Sequence, residues 1–202
     1  MHYMRGHGPR YRVVFRRRRE GKTNYQLRRK LLLSNRLRFV VRRSNRYVVI
    51  QILKPHLKGD QVIISVHSKE LRDKFNWKGN CGNMPATYLT GLLAGFRAKK
   101  AGLSDAILDI GLISPIKGAK VFAALKGALD AGLSIPYSED VLPEDNRVKG
   151  NHIASYATQL AEAEEGKKQS RFFALVVKRG LQPQDLPEHF DEIKNKIVSS
   201  FD

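Results

Sequence analysis

Cysteine is nearly absent: Cys81 is the only one in 202 residues. A single thiol excludes an internal disulfide and any Cys-cluster zinc site, and it suits a reducing, cytoplasmic setting. The six histidines, His2, His7, His56, His67, His152 and His189, are scattered without His-x-x-x-His spacing, so no metal site is expected. Long apolar runs are missing as well. "LLLS" and "YVVIQIL" fall far short of the roughly 20 residues that cross a bilayer. No apolar leader stretch opens the sequence, and no membrane partner is expected. No stretch fits G-x-x-x-x-G-K-[ST], and the spaced glycines of "GLLAGF" and "GLISPIKGAK" form no phosphate-cradling fingerprint. Cofactors and an obligate small molecule are therefore not expected.

Acidic charge is also scarce, but only at one end. Residues 1–60 carry 18 Lys and Arg against only Glu20 and Asp60, so nearly all of the chain's net charge of +18 lies there. The remainder is close to neutral, the pattern of a basic arm attached to a globular body. Such a density of like charge repels itself until a polyanion neutralises it. Arginine outnumbers lysine in this third. Its planar fork suits phosphate and stacks on bases, which places nucleic acid first among partners.

Residues 1–22 mix Gly6, Gly8 and Pro9 with dense arginine; too little is apolar for the segment to order alone. From Thr23, read as an N-cap, "NYQLRRKLLLS" sets Leu27 and Leu31 on one side and Arg28, Arg29 and Lys30 on another, a short basic amphipathic helix. Valine, isoleucine and aromatics at 37–43 and 46–53, parted by Ser44 and Asn45, predict a hairpin. A third strand is expected at 61–68. Pro85 marks a helix start, and Gly102 fits its C-terminal stop. "AILDIGL" (106–112) reads as a short buried strand, and "SPIKGAKVFAALKGALDAGL" as a helix ending at Gly132. Helices are predicted over 147–165 and near 188–200, with 171–177 either strand or helix. The fold class is α/β: a mixed sheet with packed helices, a basic N-terminal arm and a mostly helical C-terminal extension. The expected division is an arm at 1–22, a core at 23–133 and the extension at 134–202.

Chemistry-bearing candidates have ordinary counterparts. Asp105 and Asp109 bracket a strand and are capable of acid–base or Mg²⁺ work, although solvation or capping is the commoner role. Cys81 lies beside glycine but without a triad signature, which favours a packing thiol. Gly91-x-x-x-Gly95 suggests close helix–sheet approach. Trp77 next to Lys78 fits base stacking or a core anchor equally. "AEAEEG" reads as a solvated helix face. The arm stands apart, because Tyr11, Phe15 and Tyr25 are interleaved with its cations. Rings beside guanidinium groups suit looped RNA, whose bases splay and stack.

Several long motifs, in order along nearly the whole chain, carry a resemblance. "GPRYRVVFRRRREGKTNY", "VVRRSNRYVVIQI", "GNMPATYLTGLLAGFRAKKAG", "AILDIGL", "KGAKVFAALKGALDAGLSIP" and "DLPEHFDEI" are similar to the archaeal-type large-subunit ribosomal protein L-eighteen family, whose eukaryotic counterpart is numbered five. The start "MHYMRGH" and the "VVF" segment depart from the family's usual pattern. The resemblance implies a non-enzymatic protein that binds 5S rRNA, attaches it to the large subunit at the central protuberance, and contacts 23S rRNA and neighbouring large-subunit proteins. It further implies RNA contacts from Arg10, Tyr11, Arg12, Arg16, Arg17, Arg18, Arg19, Lys22, Asn24 and Tyr25. Matching positions on the basic helix and hairpin turn are Arg28, Arg29, Arg42, Arg43, Ser44 and Asn45. Two other classes compete: an RNA-acting enzyme centred on Asp105 and Asp109, and an adaptor for acidic lipid or protein surfaces.

Overall fold

The β-branched residues between 38 and 67 place three consecutive strands in a computed structural model that describes residues 8–56, 59–162 and 173–201. The strands are β1 (Arg38–Arg43), β2 (Val48–Lys54) and β3 (Gln61–His67). A short fourth strand, β4 (Ile107–Asp109), completes a sheet of order β3-β2-β1-β4. β1 pairs antiparallel with β2 through Val41↔Ile50, while β4 runs parallel to β1 through Phe39↔Leu108. The mixed sheet expected from the sequence is thus present. Strand alternation turns Phe39, Val41, Ile50 and Ile52 toward one apolar core. It leaves Arg38, Val40, Arg42, Gln51 and Leu53 on the opposite face.

β4 covers less than the expected 106–112. The Asp109 carboxylate accepts the Gly111 N–H at 2.9 Å, and Gly111 takes φ +66°, so the chain turns away after three residues. The helix expected from Ser114 begins later for a related reason. Gly118 sits at φ +69°, which an α-helix does not accommodate.

Two short helices precede the central ones: α1 (Arg16–Arg19) and α2 (Tyr25–Leu33). α3 (Lys69–Phe75) leads into α4 (Met84–Lys100), where the Asn83 side chain caps the Ala86 N–H at 3.0 Å and Pro85 occupies the first turn. α5 (Lys120–Asp130) lies along α4. A methyl at Gly91 would overlap the Ala124 carbonyl, and one at Gly95 would meet Ala131 Cβ at 2.6 Å. The small-residue pair therefore brings two helices together, not a helix and the sheet.

The extension forms α6 (Asp145–Lys149), α7 (Asn151–Glu162), α8 (173–178) and α9 (Leu186–Ser199). The single helix predicted over 147–165 breaks at Gly150, whose φ is +91°; its last three positions lie outside the described residues. The part of 171–177 that is described is helical. Leu186, Phe190, Ile193 and Ile197 of α9 enter the same core as the sheet.

Trp77 is fully buried, stacked on His189 with centroids 5.2 Å apart, and donates its indole N–H to Asn80. It is a core anchor and not a base platform. His189 Nε2 accepts the Lys78 N–H at 3.1 Å, while Nδ1 faces Glu192 at 3.1 Å. Burial holds this imidazole below its ordinary pKa despite Glu192, and Lys78 and Lys196 act in the same direction as burial. The unfolded chain therefore takes up the proton first as pH falls, so the stabilising contribution is complete above the unfolded value near 6.5 and is lost below it. The melting temperature is expected to fall between about pH 7 and 5, and His189→Gln to flatten that decline. An unchanged profile in the variant would refute the assignment.

Candidate nucleic-acid interface

Arg10, Tyr11 and Arg12 are exposed and stand clear of the sheet. Sequence alone suggested no order before residue 22, yet the four arginines wind into the single turn of α1, with no residue buried. Successive side chains on a helix turn by about 100°, so the guanidinium groups fan out around the axis. Glu20 meets Lys22 at 2.9 Å and Arg16 at 3.6 Å. Gly21, at φ +64°, lets the chain fold back toward α2. The returning segment is held by Phe15 against Tyr25, ring centroids 4.9 Å apart, and by Arg17 Nε donating to the Thr23 hydroxyl at 2.9 Å.

The N-cap of α2 is Asn24, one residue after the expected Thr23. Its side-chain oxygen accepts the Gln26 and Leu27 N–H groups at 3.0 and 3.1 Å. Asn24 thus has a structural task in addition to any RNA contact. Arg28 also differs from expectation. It points inward and grips Asp60 with two hydrogen bonds of 2.9 and 2.7 Å, because a cation on the inner face of α2 needs a counter-charge. Arg29, by contrast, is exposed.

Asp60 also contacts Arg38, a guanidinium only 2% exposed, whose Nη1 donates to Asp109 at 3.0 Å. Arg38 Nη2 touches Asp60 outside hydrogen-bond geometry, and its Nε has no acceptor. Burial pushes the Asp60 carboxyl up, but the hydrogen bonds from Arg28 and the adjacent Arg38 guanidinium outweigh it and hold the group below its ordinary range. The chain Arg28–Asp60–Arg38–Asp109 fastens α2 to β1 and β4.

Above this chain lies a groove of about 530 Å³ lined by Arg17, Lys22, Tyr25, Arg42, Gln51 and Leu53, among others. Arg42 is half exposed and 4.0 Å from Asp109. Arg43, Ser44 and Asn45 lie beyond it on the exposed hairpin tip. The Ser44 hydroxyl donates to the Tyr47 carbonyl and accepts the Tyr47 N–H, both at 3.0 Å, which closes the turn. The structure therefore gathers Arg17, Lys22, Asn24, Tyr25, Arg28 and Arg42 around one groove. Arg43 to Asn45 stay on the hairpin tip and Arg10 to Arg12 on the arm, none of them lining this groove. Arg46 shares the exposed tip and was readable in the same "RRSNR" turn, although its neighbours carried the prediction.

The catalytic alternative loses its residues to structure. Asp109 is buried against Arg38, and Asp105 pairs with Arg36 at 3.6 Å. Among the described residues no three His, Cys, Asp or Glu groups converge as metal ligands. Burial raises the Cys81 thiol pKa, the reverse of what an activated nucleophile needs. No helix among the described residues is long and apolar enough to cross a membrane.

The family described as ribosomal large subunit proteins 60S L5, and 50S L18, matches residues 9–106 and 98–138. The Large ribosomal subunit protein uL18 of Sulfurisphaera tokodaii is 54% identical over 193 residues, covering 96% of this chain and 97% of the relative. The protein of the same name from Ignicoccus hospitalis is 53% identical over 194 residues, covering 96% and 94%. The chain therefore belongs to this family of large-subunit ribosomal proteins, which are structural constituents and not enzymes.

Proposed function

We propose that this protein binds 5S rRNA in the cytoplasm and attaches it to the large ribosomal subunit at the central protuberance, contacting 23S rRNA as well. The observation that carries this reading is the arrangement of cations. Arg16 to Arg19 and the hairpin tip are exposed, and Arg17, Lys22 and Arg42 line the groove, while the nearby carboxylates Asp60 and Asp109 are already paired with Arg28 and Arg38. With Glu20 the single acid on the arm, meeting Arg16 and Lys22, a net positive field remains where a polyanion would lie. Phosphate neutralisation supplies affinity, and Tyr11 and Phe15, both exposed, offer rings for unpaired bases. In this reading residues 1–22 act as an arm that closes on RNA. Residues 23–133 form the scaffold beneath it, and 134–202 meet 23S rRNA or neighbouring proteins.

Crosslinking in purified large subunits tests this. RNA joined to residues 10–30 is expected to be 5S rRNA. Crosslinks from that segment to 23S rRNA alone would overturn the assignment.

A further inference from the structure

Near the hairpin tip, three half-buried cations are tied to main-chain carbonyls in place of carboxylates. Lys120 Nζ donates to Gly82 at 2.9 Å, Arg179 Nη1 to Gly79 at 2.8 Å, and Lys78 Nζ to Gly180 at 3.3 Å. Several other sequestered cations behave differently: the half-buried Arg28, Arg97 and Lys126 and the buried Arg38 each meet an acid. A carbonyl fixes the position of an ammonium or guanidinium but leaves its net charge in place.

The loop at 79–83 gathers these groups. A side chain at Gly82 would lie 2.9 Å from the Asn45 carbonyl oxygen, so the hairpin tip is seated directly on the loop. Between them opens a cleft of about 630 Å³ that presents Arg46, Lys120 and Arg179 beside the amides of Asn45, Asn80 and Asn83. No aspartate or glutamate is among its lining residues. Lys120 occupies the first turn of α5, which has no acid and no side-chain cap. A cation at the positive end of a helix reverses the usual arrangement. Burial, and then the charge of Arg43, hold the Lys120 ammonium below its ordinary pKa. Segments far apart in sequence thus bring like charges together, an arrangement that an incoming anion relieves.

We propose that this cleft is a second rRNA phosphodiester site, in which Lys120 and Arg179 join the hairpin tip and the C-terminal extension onto one RNA backbone. The proposal rests on the rRNA-binding reading above but uses none of the arm. RNA is favoured over an acidic protein because three cations from three separate segments share the cleft with asparagine amides, a set that suits a backbone offering charge and acceptor oxygens at each step.

Full-length protein carrying Lys120→Gln and Arg179→Gln is compared with wild type and with an arm variant, Arg16 to Arg19 all changed to Gln. Filter binding is measured against 5S rRNA and 23S rRNA across a salt series. The cleft variant is expected to lose about tenfold in affinity for at least one of the RNAs, with its salt slope reduced by about two and its melting temperature retained. If the arm variant loses binding while the cleft variant matches wild type on both RNAs, the cleft proposal is overturned and the rRNA-binding reading stands. If wild type binds neither RNA, both fall. Loss of poly-glutamate binding with RNA binding intact would also overturn it, in favour of an acidic protein partner. Should Lys120→Gln lower the melting temperature, Arg46→Gln with Arg179→Gln carries the same comparison, since Arg46 is on the exposed tip.

Discussion

Deleting residues 1–22 is expected to abolish 5S rRNA binding at physiological salt and to leave the body folded. The two halves of this expectation have separate physical grounds. The body is independent of the arm because α2 is capped by its own Asn24 and fastened to the sheet through Arg28 and Asp60. Among the described residues, the deletion removes the Phe15–Tyr25 ring contact and the Arg17–Thr23 bond. Both are exposed or edge interactions, worth about 1 kcal/mol each. Binding is different. The segment holds Arg5, Arg10, Arg12, Arg16 to Arg19 and Lys22 against the single acid Glu20. A protein with six to ten phosphate contacts depends on salt steeply, losing on the order of a thousandfold or more between about 50 and 200 mM. Removing most of those contacts should therefore cost at least about a thousandfold near 150 mM. Filter binding reads the affinity, and far-UV circular dichroism with thermal melting reads the fold. Retained binding by a folded truncation would show that the groove and hairpin tip suffice without the arm.

Much of the candidate interface was legible because its signals are local. Four adjacent arginines, rings interleaved with cations, and a turn at Ser44–Asn45 need no tertiary context. The hairpin, the Pro85 helix start and the Gly102 stop were legible for the same reason. What escaped was set at long range. Arg28 reads as one more outward cation on a basic helix until Asp60, 32 positions away, is seen to hold it. The Gly91 and Gly95 spacing announces a close approach but not its partner, which is fixed by where α5 returns. Gly118 and Gly150 break expected helices through positive φ, and an isolated glycine inside a helical period gives little warning of that. Lys120 and Arg179 lie 59 positions apart in a nearly neutral stretch of sequence. Only the 79–83 loop makes them neighbours.

The largest stability effect is expected at Arg38. Its guanidinium is 2% exposed and stands between Asp60 and Asp109, so Arg38→Leu leaves two enclosed carboxylates short of a counter-charge. Asp60 retains Arg28, but among the described residues Asp109 keeps the Gly111 N–H, a half-exposed Arg42 at 4.0 Å and the more distant charge of Arg28. Removing one member of a buried pair typically costs about 3–5 kcal/mol, and urea unfolding should show a loss of that order. Arg38→Lys should recover little, since one compact ammonium cannot span two carboxylates as a fork does. The sign with pH distinguishes a charge effect from a packing effect. In wild type the Asp60 pKa is depressed, so its contribution is complete above the ordinary value near 4 and lost as pH falls through the folded one. Without Arg38 the Asp60 carboxyl loses one of the two cations that lower it, so acidification costs the variant less than it costs wild type. The gap between the two should therefore narrow toward about pH 4. Replacing the partner too, as Arg38→Leu with Asp109→Leu, should recover part of the loss, because a buried pair exchanged for apolar side chains is often close to neutral. A gap that stays constant with pH would assign the loss to packing alone. The same substitution loosens α2 from the sheet, and with it the groove wall carrying Lys22 and Tyr25. RNA affinity should fall with stability even though Arg38 itself is buried out of reach of RNA.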